Sequence, residues 1–439
     1  MANRIVKPVV IIGGGLAGCE AAWQVAKRGG EVILYEMKPE VYSPAHCSPL
    51  LAEIVCSNSF KSESVENGPG VLKEEMGQLE SLILRTAREA RVPAGDSLAV
   101  DRNIFSERIT ETLEGLEGVR IVRKEALTIP QDQTAIIATG PLTSEAFAGE
   151  IQRLTGERRL FFYDAISPIV TADSIDFQKT FRASRYGKGG DDYVNCPLDE
   201  KNYYGLIEAL NQAERIPVRQ FEKRYLFEGC LPIEEMAERG KDTLAFGPLK
   251  PVGLVDPKTG KQPFAVVQMR REDRFETLFS LVGFQTRLKH EEQKRVFRMI
   301  PGLEKAEFPR LGSIHRNTFI DSPRLLRESL QMKGYPQIFF AGQITGVEGY
   351  MESAAMGLLS GINAFRHEIG METVFPPPAT AMGALVRYIT HSQAIPFQPM
   401  NINFGLFPPI EGRWRGREKR RLLAERALME MERWKKGIG

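Results

Sequence analysis

Residues 9–18 read VVIIGGGLAG. Four apolar residues run into Gly13-Gly14-Gly15-Leu16-Ala17-Gly18, a G-x-G-x-x-G that opens a helical pattern, CEAAWQVAKRG. A second apolar run, EVILYE, follows and ends in Glu36. Strand, glycine turn, helix, strand and acid together form a βαβ dinucleotide unit. In such a unit Gly13 permits the tight turn, Gly15 lets a pyrophosphate approach the backbone, and Gly18 lets helix and strand pack closely. Gly14, Leu16 and Ala17 complete the turn, and the helix N-terminus faces the phosphates. Glu36 is placed for ribose hydroxyls. Its charge repels a 2′-phosphate, which disfavours NADP at this site. The bland alternative, a glycine-rich turn without a ligand, fails to account for the strand, the helix and the acid together.

Two later segments favour FAD over NAD. TAIIATG (134–140) is an apolar strand ending at Gly140. IFFAGQITGVEGYMESAAMGLLSGINA (338–364) reads as a strand, a glycine-rich turn with Gly342 and Gln343, and a helix of small residues. Late returns of this kind complete a flavin pocket. No second G-x-G-x-x-G occurs, so a nicotinamide donor must bind without a Rossmann unit of its own. The expected fold is α/β: a Rossmann-type FAD-binding domain with an inserted α+β domain. The first part covers residues 1–160, the insertion 161–329, and the second part 330–439 with a basic C-terminal helix. Within the insertion, LDEKNYYGLIEALNQA reads as a helix. VGLVDPKTGKQPFAVVQM reads as a hairpin turning at Asp256–Gly260.

The chain has 439 residues, 42% hydrophobic and 26% charged, with a net charge of +2. That is a soluble globular composition with material for a sizeable core. No apolar run approaches a transmembrane helix in length. The first motif starts near residue 8, leaving no room for a cleaved leader. Five cysteines with no CxxC pair argue against a disulfide framework or a zinc site. The expected location is the cytoplasm. Nothing points to a metal or to an obligate protein partner.

The cysteines differ in setting. Cys19 lies among alanines in the first helix and reads as a small buried residue. Cys47, in PAHCSP, shows no task, and Cys196, in NCP, is open to either reading. Cys56 ends the apolar run of LAEIVCSNSF, in the segment that leaves the second strand and passes the flavin ring in folds of this class. Cys230, in FEGCLPIEEMAERG, precedes a helix start at Pro232, where the dipole favours a thiolate. Glu234 and Glu235 work against that. On local grounds both thiols admit a structural and a chemical reading.

At this point the chain resembles the folate- and FAD-dependent tRNA (uracil-5-)-methyltransferases of bacteria. The resemblance rests on GGGLAGCEAAWQ, AEIVCSNSF, YGKGGDDYVNCP, FEGCLPIEEMAERG, AGQITGVEGYMESAAMGLLSGINA and FQPMNINFGL, among strings spread from about residue 8 to residue 406. It implies transfer of a methylene group from 5,10-methylenetetrahydrofolate to C5 of uridine 54 in the tRNA T-loop. Reduced FAD then converts methylene to methyl, and NAD(P)H reloads the flavin. Carried over by motif, Cys230 attacks uracil C6 and Cys56 takes the C5 proton. Tyr350, in the GYMES turn, either faces the flavin, stacks on the pterin or packs in the core.

A tRNA partner calls for basic surface. Residues 413–436 hold ten Lys or Arg and four Glu, a net of +6, so the rest of the chain carries −4. Leu423, Ala427, Met431 and Trp434 recur at helical spacing, which assigns one face to the protein and the other to solvent or RNA. The competing readings are the same chemistry on a ribosomal RNA uridine, an FAD-dependent enzyme acting on the tRNA wobble uridine, a flavin disulfide reductase, and a non-catalytic FAD-containing RNA-binding protein.

Overall fold

The computed structural model describes residues 7–156, 160–187, 190–217 and 231–438. Its larger sheet has six strands in the order Gln331–Met332, Tyr335–Phe340, Ala135–Ile137, Val9–Ile12, Val32–Glu36, Val119–Arg123. All pair in parallel except the first with the second. The order reverses between Val9–Ile12 and Ala135–Ile137, so the crevice at their carboxyl ends is the topological switch point where such sheets bind ligands. Val9–Ile12 and Ala135–Ile137 are buried throughout, as a sheet covered on both faces requires.

The helix Leu16–Ala26 packs along the late helix Tyr350–Glu368. Their backbones nearly touch. A Cβ on Gly357 would stand 2.2 Å from the Ala17 carbonyl oxygen, and one on Gly361 2.7 Å from that of Ala21. The small-residue helix seen in the sequence is thus a closely approached surface.

Between these two parts runs a five-stranded antiparallel sheet: Phe181–Arg182, Tyr193–Leu198, Ala265–Arg271, Leu278–Leu281, Ile169–Thr171. The helix Glu200–Gln212 covers it, where the sequence placed one. The strand pair Leu160–Ala165 and Ile314–Phe319 leads into and out of this region. The expected hairpin at Asp256–Gly260 is not formed as such. The turn exists, with the Gly260 N–H on the Asp256 carbonyl at 2.8 Å, but its arms share a single bridge, Asp256 with Lys261. Ala265–Arg271 pairs instead with Tyr193–Leu198 and Leu278–Leu281. An apolar strand with a partner on each side, one distant and one just after it in the chain, outcompetes an arm interrupted by proline.

The C-terminal helix Gly416–Ile438 buries Leu423, Ala427 and Met431, and Trp434 packs beside them. Among the described residues no helix is long and apolar enough to cross a membrane.

Gly357→Ala should lower unfolding free energy by about 1–3 kcal/mol, because the new methyl meets backbone that cannot move aside. Gly149→Ala, on an exposed helical site with nothing within 4 Å of its Cβ, should raise it by about 0.5–1 kcal/mol. Urea titration of both variants checks the pair, and equal midpoints would refute the packing account.

Candidate functional site

Two adjoining cavities open at the switch point. The first encloses about 1050 Å³ and is lined by Gly13, Gly14, Gly15, Leu16, Ala17, Glu36, Gly140, Gly342, Gln343 and Tyr350. Gly18 lies behind this wall. Its Cβ would stand 1.8 Å from the Gly13 carbonyl oxygen, so its role is helix–strand approach.

The cradle fits a dinucleotide. Gly13 has φ +109, and a Cβ there would meet the Ala138 carbonyl at 2.5 Å. Gly15 has nothing within 4 Å of its missing Cβ, leaving backbone open to the cavity. Leu16–Ala26 starts without a side-chain cap or an acidic residue in its first turn, so its N–H groups face the cradle unneutralised. Glu36 Oε2 accepts the Gly14 N–H at 3.0 Å and Oε1 the Lys38 N–H at 2.9 Å, which fixes the carboxylate beside the glycine turn. Lys38 is buried and paired with Glu53 at 3.0 Å, and Glu53 Oε1 accepts the Cys47 N–H at 2.8 Å. This pair ties the segment after Glu36 back onto the cleft. His46 lines the same cleft, and burial with the Lys38 charge pushes it down to about 4, so it is neutral at pH 7. Nothing in the sequence marked Lys38, His46 or Glu53.

The second cavity encloses about 910 Å³ and shares Val55, Gln343 and Tyr350 with the first. Cys56 lies on its wall with Asp164, Glu348, Lys61, His315 and Asn317. The Cys56 N–H donates to the Tyr350 hydroxyl at 2.8 Å, and the Tyr350 ring meets Phe60 edge-on at 5.5 Å. Tyr350 is therefore both packed and facing the two cavities.

The Cys56 loop is held from three directions. Arg102, the first residue of the helix Arg102–Glu114, donates to the carbonyls of Ile54 and Cys56, each at 2.6 Å. Arg310 donates to the Val55 carbonyl. Arg270, on the strand Ala265–Arg271, donates to Ser57 Oγ and Asn58 Oδ1, each at 2.7 Å. Arg102 is in turn ion-paired with buried Glu272, whose Oε1 has no partner among the described residues. Arg270, Glu272 and Arg310, far along the chain, thus shape the loop around Cys56, which spacing along the chain does not reveal.

Burial pushes the Cys56 thiol up to about 12, with Asp164 adding to the effect and Arg102 opposing it. The thiol is protonated at neutral pH. Cys19 and Cys196 are buried, their thiols pushed up by burial, and both are structural. That closes the alternative left open for Cys196, which sits in the sheet opposite Val267. Cys47 is exposed beside Glu53. Cys230 lies outside the described residues. The helix after it, Ile233–Glu238, follows Pro232 as expected. Glu234 accepts the Arg287 N–H at 2.8 Å and the Thr286 hydroxyl at 2.8 Å, and Glu235 pairs with Arg287. Among the described residues no cluster of His, Cys, Asp and Glu could hold a metal ion.

Relatives over the whole length carry one name. The chain is 60% identical to the methylenetetrahydrofolate–tRNA-(uracil-5-)-methyltransferase of Geobacter sulfurreducens, over 97% of this chain and 98% of that one. It is 60% identical to that of Geotalea uraniireducens over 98% and 99%, and 56% identical to that of Moorella thermoacetica over 96% of each. The chain belongs to this family. The wider family model described as glucose inhibited division protein A matches residues 8–372. The fold matches Aquifex aeolicus GidA with a TM-score of 0.72 at 16% identity, over 98% of this chain and 73% of that one. The methyltransferase family and this FAD-binding Rossmann-type fold agree with the cradle and the two cavities described above.

Arg102→Met should destabilise the chain by about 3–5 kcal/mol, because it leaves the Glu272 carboxylate buried and unpaired. The double variant Arg102→Met with Glu272→Met should recover more than half of that loss. Chemical unfolding of wild type, Arg102→Met, Glu272→Met and the double variant checks this, and additive losses would show that the pair is not coupled.

Proposed function

We propose that this chain methylates C5 of uridine 54 in the T-loop of tRNA, with 5,10-methylenetetrahydrofolate as carbon donor. The observation that carries the reading is the shared wall: Val55, Gln343 and Tyr350 face both cavities, and Cys56 opens into the second. The glycine cradle, with Glu36, Gly140 and Gly342, would hold FAD in the first cavity. The second cavity then takes the folate and the uracil. When bound, reduced FAD supplies the two electrons that turn the transferred methylene into methyl, with NAD(P)H as their source.

The remaining work falls to the protein. Uracil C5 is a weak nucleophile until a thiolate adds at C6. Cys230 has that role in this reading. Once the carbon is on C5, the C5 proton must leave, and Cys56 is the group beside the flavin position that takes it. The Tyr350 hydroxyl and the Arg102 guanidinium fix the Cys56 backbone, so its sulfur is held at one place on the cavity wall.

The RNA would lie along the C-terminal helix. Arg413, Arg415, Lys419 and Arg420 are exposed. Arg417, Arg421, Arg433 and Lys436 are paired with carboxylates. Removing the whole segment would also remove Leu423, Ala427 and Met431 from the core, so charge removal at the exposed positions is the cleaner test.

A T-loop RNA carrying 5-fluorouridine should become covalently attached to the holoenzyme, because fluorine cannot leave C5 as a cation. Cys230→Ala should abolish both the adduct and methylation. Cys56→Ala should lose methylation and keep the adduct. An adduct that survives Cys230→Ala on a denaturing gel would remove Cys230 from its role. Mapping the methylated uridine separates tRNA from ribosomal RNA as substrate.

Replacing Arg413, Arg415, Lys419 and Arg420 by Ala should weaken tRNA binding by about tenfold or more at 0.1 M salt and flatten its salt dependence. FAD content should not change. Equal tRNA affinity at fixed salt would assign the helix a structural role alone.

A further inference from the structure

Glu348 has no part in the chemistry so far, yet it lines the second cavity together with Asp164, Lys61 and Cys56. It sits in a turn between Gly346 (φ +86) and Gly349 (φ +117), angles that glycine alone adopts without strain. A Cβ on Gly349 would stand 2.3 Å from Glu352 Oε2 and 2.8 Å from Lys61 Nζ, so the turn and its side chains leave each other no slack. The Glu348 N–H donates to the Met400 carbonyl at 2.9 Å, and the residue is 7% exposed. Its Oε2 accepts from Gln343 Nε2 at 2.5 Å, and Gln343 faces the cofactor cleft as well.

The charged and titratable groups around Glu348 come from every neighbouring element. Asp164 stands on the strand Leu160–Ala165, Lys61 on Ser59–Ser62, and His315 on Ile314–Phe319. Cys56 belongs to the loop before Ser59, and Tyr350 and Glu352 to the helix that follows. Lys61 is committed to Glu352 at 2.8 Å. Burial, the Asp164 charge and the Glu352 charge raise the Glu348 carboxyl, against the Lys61 charge and the Gln343 amide, to about 8. Cys56 and Tyr350 hold their protons more tightly, and His315 is lowered by burial and Arg310.

Two of the proton transfers in the reaction proposed above need a partner in the protein. The bond between the methylene carbon and N10 of the folate breaks readily only if N10 is protonated as it leaves. Later the uracil C5 proton must go somewhere. Cys56 cannot keep a second proton, so it must pass its own on as it receives the one from C5.

We infer that Glu348 is a further catalytic residue, which protonates folate N10 as the carbon–N10 bond breaks and then, as a carboxylate, receives the thiol proton of Cys56. The balance closes. The O–H bond of Glu348 breaks and an N10–H bond forms. The C5–H bond breaks, an S–H bond forms on Cys56, the old S–H bond breaks, and the O–H bond of Glu348 is restored. The C5–carbon bond forms once the carbon–N10 bond has broken. The carbon–N5 bond breaks as the C5 proton leaves, and N5 takes the proton that would remain when reduced FAD gives up a hydride, so no external acid or base is consumed. The inference rests on the folate-dependent reading of the site.

The test is single-turnover methylation of T-loop RNA by FAD-loaded enzyme, wild type against Glu348→Gln. The variant should be slower by about a hundredfold or more. Its FAD content, tetrahydrofolate affinity and NAD(P)H oxidation should stay within about twofold of wild type, as expected for loss of an acid–base group rather than of the fold. Wild-type rate should fall as pH rises through about 8, because N10 needs the protonated carboxyl. In Glu348→Gln that fall should vanish. Wild-type methylation with a variant that keeps a fifth of the rate, or keeps the alkaline fall, overturns the inference and leaves the function intact. If Glu348→Gln loses FAD, Gln343→Leu is read instead: losing the amide that favours the carboxylate should move the alkaline fall upward, and an unmoved fall overturns the inference. A wild-type enzyme that transfers no folate carbon to RNA overturns the function itself.

Discussion

The backbone of Ala17 lies against Gly357 with no room for a side chain between them, and both cavities take their positions from that contact. Ala17 is in the first turn of the helix whose N-terminus lines the first cavity. Gly357 is two turns into the helix that begins at Tyr350. Holding the two helices together sets their N-terminal ends side by side. The turn before the later helix is held close as well, since a Cβ on Gly342 would stand 2.7 Å from that of Ala17. The cradle for the dinucleotide and the turn bearing Glu348 are therefore parts of one rigid unit. A methyl group at the seam would disturb both.

A second layer of order comes from arginines. Arg102, Arg270 and Arg310 reach the five residues 54–58 from a helix, a strand and the segment before Ile314. A loop with this many donors on its carbonyls and side chains has little freedom to change shape on binding. The same guanidinium groups keep positive charge under Cys56, yet burial still leaves its thiol protonated. Positional precision at this cysteine is gained without activating it, which is why a proton partner lining the same cavity matters.

The parts of the fold that follow local rules were legible in the sequence. The glycine turn, the acid at Glu36 and the late small-residue helix each carry their signal within a few residues. So does the period of Leu423, Ala427 and Met431, which are buried as that spacing requires. For the same reason the sequence marked glycines and Glu36 that the fold gathers around the first cavity. The rest depends on residues that meet only after folding. Arg102 looks like an ordinary helix start, and Glu272 like an ordinary surface acid, until the insertion brings them together. Glu348 reads as one polar residue in a glycine-rich turn. The expected hairpin fails in the same way: Ala265–Arg271 pairs with the distant Tyr193–Leu198 and with the following Leu278–Leu281 rather than with the arm before Asp256. Cys196, polar in its neighbours along the sequence, is apolar in its neighbours in space.

The contact between Leu16–Ala26 and Tyr350–Glu368 also bears on how the chain is made. The first helix leaves the ribosome early, but its apolar face has no permanent cover until residues near 368 have been synthesised. At about 5–20 residues per second that interval is on the order of tens of seconds. During it, the dinucleotide unit has its strands and its glycine turn but not its packing partner. Nascent chains should be vulnerable to aggregation until the last quarter emerges, and a chaperone that shields that first helix would be most useful in this window.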